Sequence, residues 1–172
     1  MRNDGEDGLE GRNCVPYFET DKSQIIFEFF YLLVTLFAVC GFVFFVQVNK
    51  DCIGISYSDK AALFSLSGGF LGGWVYDAKW FYRVTARGKS NQYQFLWQSH
   101  KFYWRVLTPF LSSLVAFSVY LLAQSEFIPF EIKNSNSAKT AFSVSFFLGY
   151  FSDLVLSRLA GWAESIIPRK GS

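Results

Sequence analysis

One apolar block, residues 25–48, constrains the fold of this chain more than any other feature. The block contains a single charged residue, Glu28. About 20 apolar residues in a helix are enough to cross the roughly 30 Å hydrocarbon core of a bilayer. Three further apolar blocks follow at 60–82, 102–124 and 140–160. We therefore expect an all-α membrane protein with four transmembrane helices.

The segments outside these blocks are polar, and none of them is long enough to build a core of its own. We expect a polar tail at 1–24, a transmembrane domain at 25–167, a basic loop at 83–101 within it and a C-terminal tail at 168–172. Residues 92–104 and the stretch before Pro168 predict short helices that lie in the membrane interface.

The distribution of lysine and arginine predicts the orientation of the helices, because short loops rich in these residues stay in the cytoplasm. An arrangement of four spans with both termini inside places these basic residues in the cytoplasm: Arg2, Arg12, Lys22, Lys79, Arg83, Arg87, Lys89, Lys101, Arg105, Arg158, Arg169 and Lys170. The opposite side then holds only Lys50, Lys60, Lys133 and Lys139. The pattern predicts a multi-pass membrane protein with both termini in the cytoplasm.

The second block is rich in small residues, which recur every four positions along two adjoining stripes. Helices in lipid associate by close packing, and small residues let their backbones approach. We therefore expect these residues to form a helix-packing interface, which Gly149 of the fourth block also joins. We expect this interface to lie between subunits of a homo-oligomer. The predicted interface residues are Ser65, Gly68, Gly69, Gly72, Gly73 and Gly149.

A short internal repeat joins the second and fourth blocks. Residues 70–77 and 146–153 share the pattern Phe, two residues, Gly, an aromatic residue, two residues and Asp. The repeat predicts two tandem hairpins related by an axis along the membrane normal. It also predicts that Asp77 and Asp153 lie at similar depth near the cytoplasmic side.

Acidic residues in membrane helices usually face protein or water, because exposure to lipid is costly. Two interpretations stay open at this point. These residues form ion pairs that hold the bundle together, or they line an ion path or gate that favours cations. The candidates are Asp77, Asp153, Glu28, Arg105 and Arg158.

The segment 80–105 interleaves cations with aromatic rings. This composition suits anionic lipid headgroups, and it also suits a nucleotide or an oligonucleotide, whose phosphates and bases need cations and flat rings. The candidate binding residues are Arg83, Arg87, Lys89, Tyr93, Trp97 and Lys101.

The chain offers little material for a metal or catalytic site. Its three cysteines form no CxxC pair and His100 is the only histidine, so we expect no metal and no cofactor. No metalloprotease motif and no nucleophile elbow occur, so we expect no enzymatic activity.

The residues Gly-Tyr-Phe-Ser-Asp at 149–153, followed by Leu159-Ala160 and Ala163-Glu164, form a short pattern near the end of the chain. The pattern resembles small multi-pass bacterial inner-membrane proteins, including anti-phage effectors of cyclic-oligonucleotide and Hailong-type systems. The resemblance covers fewer than 20 residues of the fourth block. It implies a bacterial inner-membrane protein that acts as an oligomer and perturbs ion gradients.

Two functions are compatible with these patterns. The first is a homo-oligomeric membrane pore or ion channel, acting as a regulated effector in anti-phage defence. The second is a non-conducting membrane anchor or scaffold that recruits a cytosolic partner protein through the basic loop and the termini.

Overall fold

The computed structural model describes residues 21–49, 54, 56–85, 97–125 and 137–166. The helices are α1 (Asp21–Val48), α2 (Tyr57–Thr85), α3 (Phe102–Gln124), α4 (Ala138–Tyr150) and α5 (Ser152–Ile166), and a short 3-10 turn (Ser99–Lys101) leads into α3. No strand occurs among the described residues. The prediction of an all-α fold is confirmed.

Three of the four predicted helices lie close to their predicted bounds. α1 begins at Asp21 rather than at residue 25, so it includes the end of the predicted polar tail. α2 extends beyond 60–82 at both ends, where Asp59 in the first turn and Arg83 in the last turn complement the helix dipole. Residues 1–20, 86–96 and 167–172, which hold the rest of the predicted tails and most of the basic loop, lie outside the described residues.

Among the described residues, two helices are long and apolar enough to cross a membrane, namely α1 and the segment Ser99–Gln124 that contains α3. α2 is long enough, but its glycine, serine and charged residues make it less apolar. α4 has 13 residues, which at a rise of 1.5 Å per residue is only about 20 Å of helix. The number of spans by length and composition is therefore two, or three if α4 and α5 form one broken span.

The prediction of one continuous helix over 140–160 is wrong. The chain leaves the helical path at Phe151, and α5 continues at an angle of 88° to α4. A hydrogen bond of 3.0 Å between the hydroxyls of Ser112 and Ser152 ties the first residue of α5 to α3. This bend directs α5 away from the axis of α4.

α2 lies at the centre of the bundle, packed against α1, α3 and α4. It runs parallel to α4, since Ser65 contacts Ser145 and Gly69 contacts Gly149. It runs antiparallel to α3, where Gly69 meets Ala116 while Gly73, further along, meets Pro109. The glycine-rich segment is thus the buried core helix of one chain.

α1 lies on the outside of the bundle. Only a narrow stripe of it is buried, including Gln24, Glu28 and Leu32, which recur every four residues. The remainder of the helix is covered with exposed phenylalanines, including Phe29, Phe30, Phe37, Phe42, Phe44 and Phe45. Such a surface suits hydrocarbon and not water, because soluble proteins rarely expose a contiguous apolar face of this size.

Candidate functional site

Three charged residues from three helices meet inside one end of the bundle, and we call them the charge cluster. They are Glu28 of α1, Asp77 of α2 and Arg105 of α3. The side chain of Glu28 is 0% exposed and Asp77 is 2% exposed. Arg105 Nε donates a hydrogen bond of 3.1 Å to Glu28 Oε2. Asp77 lies within electrostatic range of both other members.

The charge cluster is unbalanced, because it contains two carboxyl groups and one guanidinium. Among the described residues, three of its buried polar atoms have no hydrogen-bond partner, namely Glu28 Oε1, Asp77 Oδ2 and Arg105 Nη2. Removing charged groups from water is costly unless partners compensate them, and one partner cannot neutralise two carboxylates. The cluster therefore contains one carboxyl group more than its guanidinium can balance.

Trp97 covers the charge cluster at the end of the bundle that faces the loop between α2 and α3. Its ring lies 3.9 Å from Arg105 Cζ, measured to the ring centroid, which is a close cation–π contact. Its indole N–H donates a hydrogen bond of 2.9 Å to Gln24 Oε1. The ring also meets Phe81 edge to face at 6.5 Å. Trp97 thus separates the guanidinium from the solvent side.

Two further hydrogen bonds attach α1 beside the charge cluster. The hydroxyl of Tyr31 donates to the carbonyl of Val106 at 2.8 Å. The indole N–H of Trp74 donates to the carbonyl of Leu32 at 2.9 Å. Beyond the cluster, the hydroxyl of Ser99 donates to Asp21 at the start of α1. These bonds hold the part of α1 that carries Glu28 against α2 and α3, which carry Asp77 and Arg105.

The small residues of α2 face two neighbouring helices of the same chain. A Cβ atom at Gly68 or Gly72 would collide with backbone atoms of α4, and one at Gly69 would lie 2.6 Å from Ala116 Cβ of α3. Gly149 of α4 in turn packs against the backbone of Gly69. The expectation that this surface lies between subunits is therefore wrong, because α3 and α4 already cover it.

Hydroxyl groups follow the charge cluster along the interior of the bundle. Ser65 and Ser145 share a hydrogen bond of 2.6 Å between α2 and α4. Ser113 donates to the carbonyl of Leu66 at 2.8 Å. Ser65 is one of the predicted packing residues, whereas Ser113 and Ser145 were not singled out from the sequence, although their positions along α3 and α4 place them on the buried faces. They make the interior of this bundle polar as well as closely packed.

The other predicted ion-path residues do not join the charge cluster. Asp153 and Arg158 are exposed on α5, beyond the bend. Asp77 and Asp153 therefore differ in their surroundings, because one carboxyl group lies in the core and the other on the surface, and their similar depth stays a prediction. This difference removes the main support for two equivalent tandem hairpins.

The candidate ligand-binding residues are only partly described. Arg83 packs over the ring of Trp80, with Cζ 5.4 Å from the ring centroid, and Lys101 is exposed. Trp97 is half-buried and packs against Gln24 of α1 and Arg105 of α3. Arg87, Lys89 and Tyr93 lie outside the described residues.

Within the described ranges, no group of three or more histidine, cysteine or acidic residues is arranged to hold a metal ion. Cys40 is free and exposed on α1. No family model, curated protein or solved structure matches this chain.

Proposed function

We propose that this protein forms a cation-conducting pore in a membrane. The observation that carries the proposal is the unbalanced charge cluster, in which two buried carboxyl groups share one guanidinium. Ionisable groups within membrane helices are costly, and where they occur they commonly mark ion paths. Acidic groups along such a path attract cations and repel anions.

The proposed arrangement in the membrane uses four spans. α1 and α3 face lipid, and α2 crosses among the other helices, so that its polar residues contact protein. The positive-inside rule places the termini and the loop between α2 and α3 in the cytoplasm. Glu28 then lies about 10 Å along the helix axis from Asp21 at the cytoplasmic end, since seven residues separate them. The charge cluster would lie near the cytoplasmic mouth.

A pore of this kind requires several copies of the chain. The glycines of α2 bring its backbone into contact with α3 on one side and with α4 on the other, which leaves no space for a wide lumen within this part of one chain. A closed symmetric ring of subunits supplies such a lumen. The exposed phenylalanine face of α1 and the outer face of α3 are available for contacts with lipid and with neighbouring copies.

The non-conducting anchor is the second candidate, and the same close packing favours it. In that case the ion pair between Glu28 and Arg105 is a structural tie, together with the hydrogen bond between Trp97 and Gln24. The role as an anti-phage effector depends on the short sequence resemblance alone and stays a prediction.

Currents across planar bilayers that contain the purified protein distinguish these candidates. A pore gives cation-selective currents, measured from the reversal potential under a salt gradient for metal cations and under a pH gradient for protons. An anchor leaves the bilayer silent at every voltage and pH gradient applied, and that result would contradict the proposal. Empty bilayers with matched detergent are the control.

A further inference from the structure

The three unpartnered polar atoms of the charge cluster differ in what each of them needs. Within the part of the chain that the structure describes, Glu28 Oε1 and Asp77 Oδ2 are acceptors without donors, and Arg105 Nη2 is a donor without an acceptor. Glu28 already receives Arg105 Nε through its other oxygen, so the guanidinium balances the charge of Glu28. The carboxyl group of Asp77 is then the member of the cluster without a counter-charge.

A proton satisfies Asp77 better than a metal cation does. Calcium and magnesium bind through six or more oxygen ligands, whereas the described residues offer no cluster of three acidic groups. A metal ion would also lie close to Arg105, and the two positive charges repel each other. A proton needs no coordination shell, and it converts Asp77 from an acceptor into a hydrogen-bond donor.

Each helix packed around the charge cluster contributes to the surroundings of Asp77. The groups that act on it electrostatically are Glu28 on α1 and Arg105 on α3, and the phenol of Tyr31 on α1 lies within electrostatic range of Asp77. Two carboxylates that share a site cannot easily ionise together, so that one of them keeps a proton. Tyr31 donates its own proton to the carbonyl of Val106, so it does not supply the missing donor.

Two pairs of hydroxyl groups occur in the interior of the bundle, and a hydroxyl both donates and accepts. One pair joins Ser112 on α3 to Ser152 on α5 at 3.0 Å. The other pair joins Ser65 on α2 to Ser145 on α4 at 2.6 Å. Interior groups of this type suit the movement of protons and not that of hydrated metal ions.

We propose that Asp77 is a proton-binding site and that the cation conducted is H⁺. This inference rests on the proposed pore function, because it names the ion that the pore carries. A proton enters from water at the cytoplasmic end, past Trp97, and adds to the carboxylate of Asp77. It leaves as the same proton to water, and no bond between heavy atoms changes.

Two measurements on the full-length protein in liposomes test the proton site, using Asp77→Asn and the control Asp153→Asn. Asn has nearly the size of a protonated aspartic acid, so the fold is expected to persist, and circular dichroism checks this. Asp153 is an exposed carboxyl group outside the charge cluster. Infrared spectra report a protonated carboxyl group through its carbonyl stretch, and an internal pH dye reports proton uptake.

We expect the protonated-carboxyl band in the wild-type protein and in Asp153→Asn, and its loss in Asp77→Asn. Proton uptake driven by a potassium diffusion potential should fall at least 10-fold in Asp77→Asn and remain unchanged in Asp153→Asn. A band that persists in Asp77→Asn would overturn the proton site. Sodium or potassium currents without proton uptake would also overturn the proton site, but they would still support the proposed pore. A band that depends on Asp77 in a protein without any ion flux would support the proton site while contradicting the pore.

Discussion

Adding one methyl group at Gly72 tests the close approach of α2 and α4. An alanine Cβ at this position would lie 2.7 Å from the backbone nitrogen of Tyr150 and 3.1 Å from the carbonyl carbon of Gly149, and it would collide with the carbonyl oxygen of Phe146. All three neighbours are backbone atoms, so no side chain can rotate away. α4 would have to move by roughly 1–2 Å to restore ordinary contact distances of about 3.5–4.0 Å.

The expected cost follows from two opposing terms. Overpacking a close interface costs about 1–3 kcal/mol, and replacing glycine by alanine within a helix returns up to about 1 kcal/mol of helix propensity. The net destabilisation of Gly72→Ala is therefore about 1–2 kcal/mol. For a chain of this size it lowers the melting temperature by roughly 2–8 °C.

Gly41→Ala provides the matched control. Gly41 lies on α1, and nothing lies within 4 Å of the Cβ that alanine would add there. This variant gains the same propensity without a collision, so its melting temperature should equal or exceed that of the wild-type protein. Thermal unfolding of both variants in the same detergent gives the comparison. Equal melting temperatures for Gly72→Ala and Gly41→Ala would refute the packing of α2 against α4.

Three further predictions concern other contacts of the bundle. Arg105→Gln leaves Glu28 buried without its counter-charge and should cost about 3–5 kcal/mol; thermal unfolding should show that adding Glu28→Gln recovers most of the loss, and equal stability of Arg105→Gln and wild type would contradict the ion pair. Ser65→Ala and Ser145→Ala should couple by about 0.5–1.5 kcal/mol in a double-mutant cycle, whereas additive effects would exclude their hydrogen bond. A spin label on Cys40, with the other cysteines replaced by serine, should relax faster with oxygen than with a polar nickel reagent if α1 faces lipid; the reverse order would place it in water.

The sequence predicted the outer helices of this fold better than its centre. α1 and α3 follow from apolar length alone, because lipid-facing helices need little else. The small residues of α2 predicted close packing, but they could not identify the partner. Gly69 and Gly149 would look the same in a contact within one chain and in a contact between two chains. Only the three-dimensional arrangement shows that α3 and α4 cover them.

The bend at Phe151 was not predictable from composition. Residues 140–160 are mostly apolar, and their two charged residues, Asp153 and Arg158, both follow the bend. Neither a proline nor a charged residue marks the end of α4. The hydrogen bond between Ser152 and Ser112 joins residues 40 positions apart, and hydropathy carries no information about such a contact. The apparent repeat gave no sign of the bend either, since it placed Asp153 on the same helix as Gly149, whereas α4 ends three residues earlier at Tyr150.

The charge cluster was predicted in part. The cost of charge in a membrane singled out Glu28, Asp77 and Arg105 individually, and their positions along the helices suggested a similar depth. Their spatial grouping depends on the antiparallel register of α2 and α3, which small-residue packing sets. The basic composition of the loop at 83–101 predicts that Trp97, which lies within it, belongs to a ligand-binding surface. Its contacts with Gln24 and Arg105 are tertiary contacts that the local sequence does not indicate.

The current carried by Asp77→Asn, compared with that carried by Asp153→Asn, tests the central claim most directly. Both variants remove one carboxyl group, but only Asp77 belongs to the buried charge cluster. With equal amounts of protein in planar bilayers, we expect wild-type cation currents for Asp153→Asn and a loss of current or of cation selectivity for Asp77→Asn. Indistinguishable currents from the two variants would show that ions do not pass the charge cluster.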